Sequence, residues 1–317
     1  MLNEYWSRIG SWILMALLGG ATLVHAAESP IKIRIAYPSG MNGQIPVVME
    51  RTGLAKKFGL DAEYNFFQYG PPMMEALAAG HVDAVFAGPM PITSFISRQP
   101  GRTVIVAQLG SSSYSLMVPK DSPIKDLRDM RGKRLALSFS TDSHLLLLSA
   151  LRELGIDKNK DITLINAQPN DLIPLFVQGL TDAVLIRVPQ VERMQEQNGA
   201  RIVETWPFYF WAIMRADYLK QNPEARERFL DTIRHAILYT ASNREQAAQW
   251  FGERLRLDPK IVLRTTSTDP LFQANRIEDV KIGITPAQQK YFEDWTTASF
   301  DFGLIKTRAD LQDTFRR

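Results

Sequence analysis

Gly80-His81-Val82-Asp83-Ala84-Val85 in the first half of the chain returns in altered form as Gly179-Leu180-Thr181-Asp182-Ala183-Val184 in the second. In each copy a run of helical period stops at glycine, aspartate follows, and an apolar strand begins. A proline comes shortly afterwards, at Pro89 and at Pro189. Glycine suits the left-handed position just past a helix end, and aspartate suits the turn that opens the strand. Two lobes built on one plan are the economical reading of this repeat. Coincidence is the alternative, because glycine with aspartate is common turn chemistry.

Outward from these two points, short apolar strands alternate with segments of 3.6-residue periodicity, the pattern of parallel βαβ units. The first series predicts strands over residues 32–37, 61–68 and 82–87, with helices over 45–58 and 72–79. The second predicts strands over 134–138, 161–166 and 182–186, with helices over 143–154, 172–178 and 191–197. Apolar strands at 114–119 and 208–214 stand on either side of the second series, and beyond Asp217 the chain reads as mainly helical. The fold class is α/β. In open α/β sheets ligands sit beyond the carboxyl ends of the strands, where amides and helix N-termini converge. The segments after the matched strands, Gly88-Pro89-Met90-Pro91 and Arg187-Val188-Pro189, are therefore predicted to face each other across a cleft between the lobes.

Composition narrows the function. The chain has 317 residues, enough for about two domains with a full core. It has no cysteine, which excludes disulfides, thiolate-held metals and a thiol nucleophile. Four histidines make metal chemistry a poor reading, so neither a metal nor a cofactor is expected. With 37 Lys and Arg against 34 Asp and Glu, scattered and not blocked, nucleic acid is not the expected partner. Arg8 precedes an apolar run from Ile9 to Val24, and Val24 with Ala26 offers a small-x-small cleavage pattern. Residues 1–26 read as a secretory leader, so the mature chain is expected to begin near Ala27 and to work in the periplasm.

Enzyme signatures are scarce. No Gly-x-Ser-x-Gly elbow, His-Glu-x-x-His helix or phosphate-binding loop is present. Ser122-Pro123-Ile124-Lys125 has the Ser-x-x-Lys spacing of penicillin-recognising enzymes but reads as a surface turn. His144, near a helix start, reads as packing or capping more readily than as a ligand contact. Binding chemistry is better represented. The loop Pro38-Ser39-Gly40-Met41-Asn42-Gly43-Gln44 links the first strand to the first helix, and its glycines let backbone donors approach a ligand. Ser140-Thr141-Asp142-Ser143 sits at a helix start, where the macrodipole favours a negative group. Arg187 ends an apolar strand, and its planar fork suits a carboxylate or sulfonate; a solvated rim arginine is the other reading. Asp142 would repel a purely anionic ligand unless it caps its own helix, pairs with Arg187 or meets a ligand amine.

Blocks of residues in order then carry a likeness. Ile33 to Tyr37, Gly53-Leu54 with Phe58-Gly59-Leu60, Gly70 to Leu77, Gly80 to Asp83, Val118 to Ile124, Leu127 to Arg134, Ser143-His144 and Gly179 to Val184 resemble the nitrate/sulfonate/taurine-type substrate-binding proteins of ABC importers. The resemblance implies the type II periplasmic-binding fold, with two lobes, a ligand cleft between them and two crossover hinge strands. One lobe would comprise residues 27–113 and 208–317, and the inserted lobe residues 114–207. It also implies a ligand touching Tyr37, Ser39, Gly40, Asn42 and Gln44 after the first strand, Gly88, Pro89 and Met90 after the third, Ser112 at the first crossover, then Ser140, Thr141, Asp142 and Arg187. Where relatives often carry Gly-Ser-Ser, Trp-Asp-Pro and Gly-Asp, this chain has Ser140-Thr141-Asp142, Arg187-Val188-Pro189 and Gly88-Pro89-Met90, so ligand identity does not transfer with the fold. The expected protein is a monomeric exported receptor that closes over a small anionic or zwitterionic solute, without transforming it, and hands it to an ABC permease with its cytoplasmic ATPase. The alternatives are a fold-related enzyme of the pyrimidine-synthesis type, whose Cys-rich motif is missing here, and a ligand sensor without transport.

Overall fold

The computed structural model describes residues 29–315, so the expected leader lies outside the described residues. Strands β1 (Ile31–Pro38), β2 (Leu60–Phe67), β3 (Ala84–Ala87), β4 (Thr103–Val118), β5 (Arg134–Leu137), β6 (Thr163–Asn166), β7 (Ala183–Arg187) and β8 (Arg201–Arg215) form one sheet in the order β2-β1-β3-β8-β4-β7-β5-β6. Helices α1 (Gln44–Thr52), α2 (Leu54–Lys57), α3 (Gly70–Ala78) and α4 (Pro89–Arg98) belong to the first series. Helices α5 (Asp142–Glu153), α6 (Pro169–Val177) and α7 (Gln190–Asn198) belong to the second. The helical remainder is α8 (Ala216–Gln221), α9 (Ala225–Ser242), α10 (Arg244–Leu255), α11 (Pro259–Thr268) and α12 (Pro286–Asp301).

The sequence repeat is a repeat of atoms. β1 lies between parallel β2 and β3, as β5 lies between parallel β6 and β7. The registers match: Ile35 faces Ala84 and Ala36 faces Val85, while Leu135 faces Ala183 and Ala136 faces Val184. The aspartate ahead of each strand locks this register. Asp83 accepts from the Arg34 amide at 2.9 Å and from its guanidinium at 2.9 and 2.8 Å. Asp182 does the same to Arg134, at 2.7 Å from the amide and 3.2 and 3.0 Å from the guanidinium. Coincident turn chemistry would not reproduce both the pairing and the register. In β3, Ala84 and Phe86 enter one core while Val85 and Ala87 enter another on the opposite sheet face. The corresponding split in β7 places Ala183 and Leu185 against Val184 and Ile186. Strands covered on both faces read as unbroken apolar runs, which is how these two read.

Three elements differ from expectation. The helix over 45–58 is two helices, because Gly53 takes a left-handed conformation at φ 66° that ends α1. Helix α4 replaces what reads as a loop after Gly88; its prolines occupy the first turn, where no donor is lost. The expected crossovers at 114–119 and 208–214 fall in the carboxyl-terminal parts of β4 and β8, at opposite ends of a long antiparallel pair running from Thr103 opposite Arg215 to Val118 opposite Arg201. Ser111, Ser112 and Ser113 hide β4 in the sequence, since they break its apolar pattern beside a register shift at Gln108. The C-terminal helices return to the first series: Arg254 pairs with Glu50 at 2.7 Å, Arg51 with Glu253 at 3.2 Å, and the Thr266 hydroxyl donates to Gln44 Oε1 at 3.0 Å. Among the described residues no helix is long and apolar enough to cross a membrane.

Candidate functional site

The site is built at the carboxyl ends of the strands. After β1 the chain turns at Ser39, whose hydroxyl donates to the Gln68 carbonyl beyond β2 at 2.8 Å. After β5, Ser138 donates to the Ala167 carbonyl beyond β6 at the same 2.8 Å. Equivalent turns are thus held open by equivalent hydrogen bonds, one in each lobe.

Two contacts between the lobes lie at these strand ends, in addition to those of α11 with α7, where Arg264 pairs with Glu196 and the Thr265 hydroxyl donates to Glu192 at 3.3 Å. Arg187, at the end of β7, directs Nη2 to Ser39 Oγ and to the Gln68 carbonyl, both at 3.4 Å. It lies so close to Gly40 that a Cβ there would stand 2.6 Å from its Cζ. Asp142, the first residue of α5, accepts from the Met90 amide at 2.8 Å. Its other oxygen would be 1.9 Å from a Cβ on Gly88. Gly88 therefore faces Asp142 and Arg187 faces Gly40, instead of the expected opposition of Gly88 to Arg187. The repeat explains this: β1 corresponds to β5 and β3 to β7, so a contact between the β1 and β7 turns is mirrored by one between the β5 and β3 turns. Asp142 caps α4 from across the cleft, since Gly88 brings no side chain to do so. Burial pushes its carboxyl up to about 6, with the Met90 amide and the Arg187 charge pulling the other way.

Beside these contacts lies a cavity of about 470 Å³. Ser39, Thr141 and Arg187 line it. Tyr114, buried on β4, also lines it; burial raises its phenol to about 12, against the nearby Arg187 charge. Tyr37 is instead fully buried in the core against Phe66, at 5.6 Å between ring centres. Asn42 and Gln44 are buried in the loop and first turn after β1, and Pro89 and Met90 form the first turn of α4. Ser140 is exposed at φ 58°, outside the cavity. Asn42 and Ser112 keep buried polar atoms with no protein partner, a hydrogen-bonding capacity that water or a ligand would use. His144 stacks on Phe139 at 4.3 Å and burial lowers it to about 4, so it is a neutral packing residue.

Gln68, Asn170, Gln190, Arg254 and Arg256 complete the wall, and none is a candidate from the sequence. Arg254 and Arg256 come from the end of α10, within amphipathic helical sequence that carries no motif. Ser122 in the Ser-x-x-Lys segment accepts from the Ile124 amide at 3.3 Å, an ordinary turn contact. Among the described residues no cluster of three or more His, Asp or Glu could hold a metal.

Comparison with known proteins agrees with this geometry. A protein of Brucella abortus, described only as a binding protein, is 28% identical over 301 residues, covering 92% of this chain and 92% of its own. A protein of Escherichia coli named for binding aliphatic sulfonates is 29% identical over 262 residues, covering 78% of this chain and 80% of its own. The crystal structure of the periplasmic aliphatic sulphonate binding protein SsuA from Escherichia coli superposes with a TM-score of 0.74 at 22% identity, over 91% of this chain and 93% of that one. The fold is accordingly that of the periplasmic binding proteins, two lobes joined by crossover strands with a cleft between them. Residues 46–247 match the family model described as NMT1/THI5 like, and the chain belongs to that family.

Proposed function

We propose that this chain is an exported solute-binding receptor that captures a small organic anion or zwitterion between its lobes and delivers it to an ABC permease. One observation carries the reading. Arg187 stands at the end of a strand in one lobe, reaches Ser39 and Gln68 of the other, borders a cavity, and has no carboxylate within ion-pair distance among the described residues. A cation held between two movable halves gains most from an anion when the halves are shut. A ligand can favour closure only through such differential affinity. The lobes comprise residues 27–113 with 208–317 and residues 114–207. Both boundaries fall within the β4–β8 ladder, near the pairing of Ser112 with Phe208. The ligand leaves chemically unchanged, and the receptor works as a monomer in the periplasm after loss of residues 1–26.

A thermal-shift panel of alkanesulfonates, taurine, nitrate, aromatic carboxylates and pyrimidines tests this. A ligand at 1,000 times its Kd adds about 4 kcal/mol of stability, which raises the melting temperature visibly. Arg187→Ala is expected to weaken an anionic hit at least tenfold. Undiminished binding would remove Arg187 from the site.

A further inference from the structure

The cavity wall constrains what kind of anion can enter. Four serine and threonine hydroxyls border it, and each has committed its one proton to the protein. Ser39 donates to the Gln68 carbonyl, Ser138 to that of Ala167, and Thr141 to that of Ser138 at 2.7 Å. Ser143 lies 2.8 Å from Thr141 Oγ1 and 3.4 Å from the Ser138 carbonyl, and donates to one of them. Toward the cavity these groups present lone pairs, which cannot neutralise negative charge. The amides at the start of α4 are taken as well, because Asp142 fills that end.

The guanidiniums remain. Three of them border the cavity and no Asp or Glu does. Arg254 is already paired with Glu50. Arg187 has only long contacts to neutral oxygens, and Arg256 has no ion-pair partner among the described residues. Arg256 also sits at φ 52° and ψ 47°, a left-handed position that glycine occupies more easily.

Beside the neutral amides of Gln68, Asn170 and Gln190, Phe66, Tyr69, Tyr114, Leu172 and Val188 contribute rings and branched chains to the wall. The volume of about 470 Å³ corresponds to about 16 waters at about 30 Å³ each, far more than a two-carbon sulfonate fills. Gln190 Oε1 is a buried acceptor without a donor.

We propose that the ligand is an organic anion whose apolar body is at least the size of an aromatic ring. Its acidic group lies between Arg187 and Arg256, and its body lies against Phe66, Tyr69 and Tyr114. A hydroxyl or amine on that body donates to Gln190. This rests on the receptor reading and adds the ligand's size and the second cationic contact.

Isothermal titration of the purified chain tests it with benzenesulfonate, benzoate and their 4-hydroxy derivatives against ethanesulfonate, taurine and the neutral benzenesulfonamide. At least one ring anion should bind at least tenfold more tightly than either two-carbon sulfonate, and the sulfonamide at least tenfold more weakly than that ring anion. Arg256→Gly should weaken the ring anion at least tenfold. The same change should leave the melting temperature of the free chain unchanged or raised, since glycine relieves the left-handed position; a residue with only a structural role would not separate these two readouts. Equal or tighter binding of ethanesulfonate or taurine, equal binding of the sulfonamide, or an unchanged affinity in Arg256→Gly would each overturn the inference while leaving the receptor reading in place. Failure of every organic anion, large or small, to bind would overturn both.

Discussion

At the scale of single residues, Asp142 is where this chain departs most from a site made simply to receive an anion. Its carboxylate is buried, it bonds the Met90 amide, and burial holds its pKa up to about 6. The unfolded value is near 4. Between about pH 4 and pH 6 the folded chain therefore keeps a proton that the unfolded chain has released, so stability falls as pH rises through that window and then levels off. The loss amounts to about 3 kcal/mol at most. Asp269, also raised to about 6 by burial, pushes the same way. Asp142→Asn retains an oxygen for Met90 and removes the charge. Melting curves of the two proteins should nearly coincide at pH 4 and separate by several degrees at pH 7, with the variant the more stable. A constant offset across that range would show that the Asp142 carboxylate ionises freely in the fold. Asp269 cancels in the difference between the two proteins.

At the scale of elements, one contact serves twice in two environments. Asp83 and Asp182 each bind the amide and guanidinium of an arginine on the neighbouring central strand, yet Asp83 is almost fully buried while the side chain of Asp182 is about one-third exposed. Asp83 also stands 3.6 Å from Arg215. Removing Asp83 leaves the largely buried Arg215 with Asp217 alone and the Arg34 amide without its acceptor, at a cost of about 3 kcal/mol at most. An exposed pair contributes about 1 kcal/mol or less, with a similar amount for the lost acceptor of the strand amide. In urea titrations Asp83→Ala should lose clearly more stability than Asp182→Ala, although the hydrogen bonds look alike. Equal losses would mean that burial does not decide the value of this contact. The same two elements made the fold legible in the sequence, because a glycine stop, an aspartate and an apolar run are local signals. Helix α4 was not legible: Gly88-Pro89-Met90-Pro91 is as good a loop as it is a first helical turn, and only packing against α3 and α12 selects the helix.

At the scale of the whole molecule, closure should be visible directly. Arg187 against Gly40 and Asp142 against Gly88 are two symmetric contacts between the lobes, with the cavity beside them. Small-angle scattering with a saturating ligand should give a smaller radius of gyration than the ligand-free chain. A tight ligand that leaves the radius unchanged would sink the mechanism of capture by closure. The amino-acid sequence alone determined the α/β alternation, the doubled lobe plan and the placing of the candidate-site turns at strand ends, since periodicity, turn residues and strand order are carried by neighbouring residues. It also singled out Ser39, Thr141 and Arg187, which line the cavity. Only the tertiary structure decided that Asp142 would fill the α4 end, that Arg187 would meet Gly40, and that Arg254 and Arg256 would close the wall. Those partners lie far apart in the chain, and which of them meet depends on how two twisted half-sheets are set across the β4–β8 ladder, a geometry that no local pattern encodes.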